Sequence, residues 1–206
     1  MSRLPSAELR SWFGEIDIYL FDQILRGRFD ERPRVLDAGC GDGRNLPLFL
    51  RRGFTCYGID SDALAINRVR ELAARLAPGL PADNIRVGQI DALPWDDGSM
   101  DAVICSAVLH FAEDEAHFGR MLTELWRVLA PKGLLFVRLA SNIGLEAEIG
   151  PIGGRRVRLP DGSVRFVVDE NMLMGWTQQL GGHLLDPLKT TIVQRQRCMT
   201  TWCLIR

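Results

Sequence analysis

Apolar positions recur along this chain at two spacings, and the changes from one to the other mark out its elements. Leu9, Trp12, Phe13, Ile16, Tyr19, Leu20 and Ile24 stand three and four apart, which predicts one amphipathic helix over residues 6–26 with a possible break at Gly14. A short apolar run after Pro33-Arg34 reads as a buried strand. It ends in a glycine-rich turn, and a helical pattern of Leu46, Leu48, Phe49 and Leu50 follows, stopped by Gly53. Thr55 to Ile59 is a second strand and closes on Asp60. A helix from Leu64 to Leu76 comes next, a turn at Pro78-Gly79-Leu80-Pro81, and a third strand from Asn84 to Gly88. The continuous apolar run Asp101 to Cys105 suits a central strand covered on both faces. Glu113-Asp114-Glu115 then opens a helix with Phe118, Met121, Leu122, Leu125, Trp126, Val128 and Leu129 on its apolar side. Pro131-Lys132-Gly133 stops that helix ahead of a fifth strand, Leu134 to Val137.

Beyond Arg138 the pattern changes. Residues 142–151 read as a loop, and residues 156–159 and 164–168 as a hairpin turning at Pro160-Asp161-Gly162. Asp169 caps a helix with Met172, Leu173 and Trp176 on its apolar side, ended by Gly181-Gly182. Two strands, 184–193 and 198–205, finish the chain.

Length and composition narrow the function. The 206 residues make one domain most simply, and 25 basic against 26 acidic residues leave a net charge of −1. Nothing global calls for nucleic acid or an anionic membrane. The five cysteines (40, 56, 105, 198 and 203) contain no C-x-x-C pair, which points to reduced thiols in a cytoplasmic protein. Arg3 precedes no apolar core of a signal peptide, and no apolar run approaches the roughly 18 residues of a membrane span. No metal-ligand spacing, serine-hydrolase pattern or P-loop is present, so no metal is expected.

The informative stretch is Asp37-Ala38-Gly39-Cys40-Gly41-Asp42-Gly43-Arg44-Asn45. A strand running into a glycine turn at the carboxyl edge of a parallel sheet is a nucleotide-type site. The dinucleotide fingerprint needs a small residue where Arg44 stands. Asp37 and Asp42 make the loop a poor host for pyrophosphate and a good one for a cation. A ligand with an adenosine and a positively charged amino-acid end suits it better. Asp60, about 20 positions after Gly39 at the end of strand two, is placed to accept hydrogen bonds from ribose hydroxyls. Ser61 or Asp62 then caps the following helix.

Asp37-x-Gly39-x-Gly41-x-Gly43 closely resembles motif I of the class I S-adenosylmethionine-dependent methyltransferases. The resemblance is strong over residues 33–139 and weak over 140–206. It includes Leu125 to Leu134, similar to a familiar signature of the family, and Ser106 to Phe111, similar to its fourth motif. It implies an α/β, Rossmann-like, doubly wound sheet of seven strands, mostly parallel with an antiparallel C-terminal hairpin and helices on both faces. Within a single domain the parts would be an N-terminal helical cap (1–32), a cofactor-binding core (33–139), a hairpin insertion (140–168), and a C-terminal helix and strand pair (169–206). S-adenosyl-L-methionine is the implied cofactor and S-adenosyl-L-homocysteine its product. Asp37, Gly39, Cys40, Gly41, Arg44 and Asn45 would wrap the methionyl part, and Asp60 and Ser61 would meet the ribose. Asp91 would bond the adenine amino group and Ala92 a ring nitrogen, with Ser106 bordering cofactor and acceptor. The compact chain is similar to small-molecule methyltransferases, including the tellurite-resistance group, acting as a monomer or homodimer on a small-molecule acceptor.

Methyl transfer from a sulfonium asks mainly for positioning and exclusion of water. A general base is needed only for an acceptor that arrives protonated, and His110, after strand four, is the candidate; its other role is pocket wall. His117 reads as a surface residue and His183 carries no motif. The N-terminal helix, with Trp12 and Tyr19, either packs on the core or forms a lid over the acceptor. Arg155, Arg156, Arg158 and Arg165 outnumber Asp161 in the hairpin, as a solvated edge or a clamp for an anionic acceptor. Two other functions compete: a regulatory or sensing module that binds S-adenosylmethionine without turnover, and a nicotinamide-dependent reductase, which Arg44 disfavours.

Overall fold

In the computed structural model, residues 5–206 are described; Arg3 and its neighbours, where no leader pattern was read, lie outside the described residues. Five parallel strands carry the main sheet: β1 (Arg34–Ala38), β2 (Thr55–Asp60), β3 (Ile85–Val87), β4 (Met100–Ser106) and β5 (Leu129–Ala140). Their order is β3-β2-β1-β4-β5, so the chain reverses its direction of winding between β1 and β4. The loops after β1 and β4 therefore part, and a ligand cleft opens at their carboxyl ends.

Alternation along β4 explains why this strand is central. Ala102 and Ile104 pack on one face with Phe49, Ile66 and Phe136, while Val103 and Cys105 pack on the other with Phe118, Leu122 and Trp202. All four β4 residues have no exposed surface. A strand buried on both faces has no polar side, as its sequence shows.

The N-terminal segment forms two helices, α1 (Ser6–Phe13) and α2 (Ile18–Leu25), so the break at Gly14 is real. Gly14 has φ +65°, and a Cβ there would lie 3.0 Å from Pro47 Cγ and 3.3 Å from the Arg44 carbonyl oxygen. The chain turns there against the end of the glycine-rich loop. Asp17 then caps α2 by accepting from Tyr19 N at 3.0 Å. The next helix, α3 (Pro47–Arg51), is five residues long with Pro47 in its first turn. In α4 (Ala63–Leu76) the cap is Asp62, which accepts from Leu64 N, and this leaves Asp60 free for another role. Asp114 caps α5 (Glu115–Val128).

Past β5 the structure departs from the expected hairpin. The stretch read as a loop, 142–151, runs into β6 (Gly150–Gly153), which pairs with β7 (Arg156–Arg158). With β8 (Val164–Phe166) these strands make a separate three-stranded antiparallel sheet. Two glycines and a proline hid β6, because that composition favours turns over strands. After α6 (Glu170–Gln179), the single strand expected over 184–193 is split into β9 (His183–Leu184) and β10 (Lys189–Val193). Pro187, without an N–H to give the ladder, falls between them. Both strands lie along the same edge of β11 (Arg197–Ile205), which runs antiparallel to β5. The main sheet thus has the seven strands in line, plus short β9.

Candidate functional site

The loop after β1 is fixed from beneath by its neighbour. Gly39 N and Cys40 N both donate to the Ile59 carbonyl oxygen, at 2.8 and 3.0 Å. Asp60 accepts from Gly41 N at 2.8 Å through one carboxylate oxygen and from Asp62 N at 3.0 Å through the other. The carboxylate at the end of β2 therefore ties the glycine loop to the start of α4 before any ligand arrives.

The glycines in this loop differ. Gly39 has φ +75°, and a Cβ built on it would lie 2.4 Å from Val108 Cγ2. Gly41 has φ +50°, and a Cβ there would meet no atom within 4 Å. The first glycine makes room for a side chain of the protein, and the second faces open space. Below them, Asp37 is buried with neither carboxylate oxygen in good hydrogen-bond geometry, and burial pushes its carboxyl up to about 7 against the opposing pull of nearby Asn45 and Arg44.

Two cavities open from this point. One, of about 330 Å³, is lined by Gly39, Asp60, Ser61, Asp91, Val108 and Met121 among others. The second, of about 430 Å³, lies over the ends of β4 and β5 and under the small sheet. Arg44, His110, Phe111, Arg138, Arg165 and Arg197 line it. Ala107 and Phe111 line both cavities. Ala107 adopts φ +66°, uncommon for a residue with a Cβ, and its N–H donates to the Arg138 carbonyl oxygen at 2.7 Å.

A family description, methyltransferase domain, matches residues 36–137, the stretch from β1 into β5 that carries this loop. The chain belongs to the class I S-adenosylmethionine-dependent methyltransferases. It is 28% identical over 183 residues to an uncharacterized methyltransferase of Mycobacterium tuberculosis, covering 84% of this chain and 68% of that one. Among solved structures, a SAM-dependent methyltransferase from Methanosarcina mazei has a TM-score of 0.70 at 20% identity, over 89% of this chain and 96% of its own. The 1,6-didemethyltoxoflavin-N1-methyltransferase of Burkholderia thailandensis, solved with its substrate and S-adenosylhomocysteine, has a TM-score of 0.67 at 18% identity. There the match covers 98% of this chain and 83% of the neighbour.

The residues of this methyltransferase fit the family's cofactor, S-adenosyl-L-methionine. A buried carboxylate at Asp37 without a hydrogen bond of good geometry suits a cationic ligand, and the open face of Gly41 leaves room for one at the backbone. Asp60, Ser61 and Asp91 line the smaller cavity, as a nucleoside would require. Ala92 is exposed and does not line it. His117, expected on the surface, does line it: its Nε2 is 3.7 Å from Asp91 Oδ2, while its Nδ1 accepts from Glu113 N at 3.3 Å. The signal was its place in the first turn of α5, a turn that begins at the carboxyl edge of the sheet.

Arg44, Asn45 and Ser106 converge on a residue the sequence did not single out. Asp17, 4% exposed, accepts from Ser106 Oγ at 2.9 Å and Arg138 Nη1 at 3.1 Å, with Arg44 Nη2 at 3.5 Å. Its own N–H donates to Asn45 Oδ1 at 3.1 Å, and Arg44 Nη2 donates to Ser106 Oγ at 3.1 Å. A carboxylate after a helix break reads as a cap. That this cap also closes a buried polar cluster depends on contacts some 90 and 120 positions away, invisible to a local reading.

His110 is 6% exposed, and its Nδ1 accepts from Ala140 N at 3.3 Å. Burial lowers its pKa to about 4, helped by the charges of Arg165 and Arg138. The neutral ring therefore carries its proton on Nε2 and offers a donor.

The residues expected on the acceptor side lie mostly away from the two cavities. Trp12 is half exposed beneath Arg51 and lines a groove with Phe13, Phe21 and Phe49, in neither cavity. Tyr19 bonds Thr191 Oγ1 at 2.6 Å and lies under Arg138, touching the polar cluster but neither cavity. Arg155 is held by Asp169 at 2.8 Å and Glu115 at 3.3 Å. Arg156 and Arg158 are exposed on β7, because Val157 between them takes the buried side. Of the hairpin arginines only Arg165, on β8, lines the second cavity, together with Arg44, Arg138 and Arg197 from other elements. All five cysteines are buried free thiols, and burial raises the pKa of each. Among the described residues no group of three or more His, Cys, Asp or Glu is placed to hold a metal, and no helix is long and apolar enough to cross a membrane.

Proposed function

We propose that this enzyme transfers the methyl group of S-adenosyl-L-methionine to a small-molecule acceptor seated in the larger cavity, and that it works in the cytoplasm. What carries the reading is the pair of cavities meeting at Ala107 and Phe111. A sensing module needs the first cavity only; a second of about 430 Å³, sharing two lining residues with the first, favours turnover. Five unpaired thiols support the compartment.

Bound, the cofactor supplies a methyl group already activated on a positively charged sulfur. The chain's part is to bind, orient and keep water out. Asp37 acts as countercharge at the methionyl end, with Gly39, Cys40 and Gly41 shaping the backbone around it. Asp60 holds the ribose beside Ser61, and Asp91, backed by His117, faces the base. Ala107 and Phe111 stand between the two ligands. His110 is a poor general base, because the lone pair of Nδ1 is occupied and a pKa near 4 makes the ring a weak proton acceptor; its Nε2–H orients the acceptor.

The test is release of S-adenosylhomocysteine. The purified chain, given S-adenosylmethionine and a protein-free metabolite extract, should release it in an extract-dependent way, and Asp60→Ala should lower the release about tenfold or more at limiting S-adenosylmethionine. Tight binding of S-adenosylmethionine by calorimetry, with no product from any extract, would decide for the sensing module.

A further inference from the structure

The larger cavity is charged in one direction. Four arginines line it, Arg44, Arg138, Arg165 and Arg197, against one carboxylate, Asp161. Arg44 and Arg138 share Asp17 beneath the cavity. Asp161 is committed to its own turn, accepting from Ser163 N at 2.9 Å and Ser163 Oγ at 2.6 Å. Arg165 gives one N–H to the Val164 carbonyl oxygen at 2.8 Å and lies 4.9 Å over the Phe111 ring. No carboxylate of the described residues comes within 4.0 Å of the Arg165 or Arg197 guanidinium.

A cation lining a cavity beside other cations is costly unless something negative joins it. Asp161 feels the Arg165 and Arg197 guanidinium groups through space, but it is bonded to its own turn and forms no ion pair with either. Arg165 is half-buried and stacked on an aromatic wall, so it is not a solvated edge residue. The neutral His110 ring adds a donor in the same cavity and no acceptor. A guanidinium fork matches the two oxygens of a carboxylate or the face of a phosphate.

Resting on the reading above, in which the acceptor occupies this cavity, we propose that the acceptor is a small organic anion, a carboxylate or phosphate, selected by Arg165 and Arg197. The two residues act on acceptor choice and leave the cofactor site alone, since neither lines the smaller cavity. The positive lining also disfavours any cationic acceptor, so the selection rejects as well as attracts.

The test uses the full chain with and without bound S-adenosylhomocysteine, and three probes of one shape: benzoate, phenyl phosphate and benzamide. Ligand-observed NMR titration measures the affinity of each. The expected result is that an anion binds about tenfold or more tighter than benzamide, the scale of one charge-assisted contact. A preference for benzoate assigns a carboxylate and a preference for phenyl phosphate assigns a phosphate. The Arg165→Gln/Arg197→Gln variant should lose the anion preference while its affinity for S-adenosylhomocysteine stays within about twofold of the parent. The Arg165→Lys/Arg197→Lys variant keeps both charges and should retain most of the preference, which separates charge from folding. Equal binding of benzamide and both anions to the parent overturns the proposal, and so does an anion preference unchanged in the glutamine variant. Failure of the parent to bind S-adenosylhomocysteine would instead count against the cofactor reading; the titrations without it still decide the anion question.

Discussion

Gly39 offers a sharp test of how the loop is built. An inserted Cβ would lie 2.4 Å from Val108 Cγ2, 2.8 Å from Cγ1 and 3.1 Å from Cβ. Gly39→Ala therefore adds two separable costs. Placing a Cβ at φ +75° costs about 1–2 kcal/mol. Overpacking Val108 costs about 1–3 kcal/mol more. Val108→Ala alone removes two methyl groups from a half-buried site, about 1 kcal/mol. In the double variant the two short contacts vanish and only the one at 3.1 Å remains. The double should thus be more stable than the sum of the singles predicts by about 1–3 kcal/mol, a coupling typical of residues in contact. Urea unfolding of the cofactor-free chain measures all four proteins, and equal slopes would show that the same transition is compared. Additivity within about 0.5 kcal/mol would refute the reasoning, since the only thing the pair shares in this account is that clash. Gly41→Ala is the control: it carries the backbone penalty without a contact.

Asp60→Ala should weaken S-adenosylhomocysteine binding by about 1.5–3 kcal/mol, and it should also lower the melting temperature of the free protein, because the two backbone donors at Gly41 and Asp62 lose their acceptor; calorimetry with unchanged affinity would remove it from the site. Asp37 titrates near 7 when folded against about 4 when unfolded, so the folded chain keeps a proton that the unfolded chain sheds, and stability falls as pH rises through that window. Asp37→Asn should remove up to about 4 kcal/mol of that fall between pH 4 and 8, and an unfolding series with the same pH slope in both proteins would refute it. His110, held near 4 when folded, makes the opposite contribution: the unfolded chain takes up a proton first, so its share of stability is intact above about pH 6.5 and lost toward pH 4. His110→Gln keeps a donor and should leave the kcat/KM profile unchanged in shape between pH 6 and 8; a limb near 6–7 that disappears in the variant would restore the general-base role.

The legible parts of the chain were those whose cause is local. The turn after β1, the acid ending β2 and the apolar β4 each follow from residue spacing, and a sheet of this kind brings those loops together. The acceptor side was less legible because side-chain direction on a strand flips with each residue. Arg155, Arg156, Arg158 and Arg165 all belong to one basic stretch, yet only Arg165 turns into the cavity. Arg197 was missed for the same reason: as the first residue of β11 it reads as part of a turn, and only the pairing with β10 brings it to the cavity. For β6 the obstacle was composition, since Gly150-Pro151-Ile152-Gly153 gains its strand conformation from pairing with β7 and has little preference of its own.

Asp17 links these observations. The same carboxylate caps α2, takes the hydroxyl of Ser106 at the end of β4, and holds Arg138 from β5. Through Arg44 and Asn45 it also reaches the glycine loop. Four pieces of chain, α2, the glycine loop, β4 and β5, thus share one buried negative charge, and two of the four arginines of the larger cavity have it as their partner. Removing the charge would leave Arg138 without compensation, a loss on the scale of about 3–5 kcal/mol for a broken buried pair. This arrangement also explains why the cavity's positive lining divides into two pairs. Arg44 and Arg138 are tethered from below and set the floor, whereas Arg165 and Arg197 come from the small sheet and the terminal strand without an acidic partner of their own. The fold supplies the tethered pair wherever α2 docks on β4 and β5. The second pair comes from β8 and β11, which line the larger cavity and not the smaller one, so exchanging these side chains leaves the cofactor site untouched.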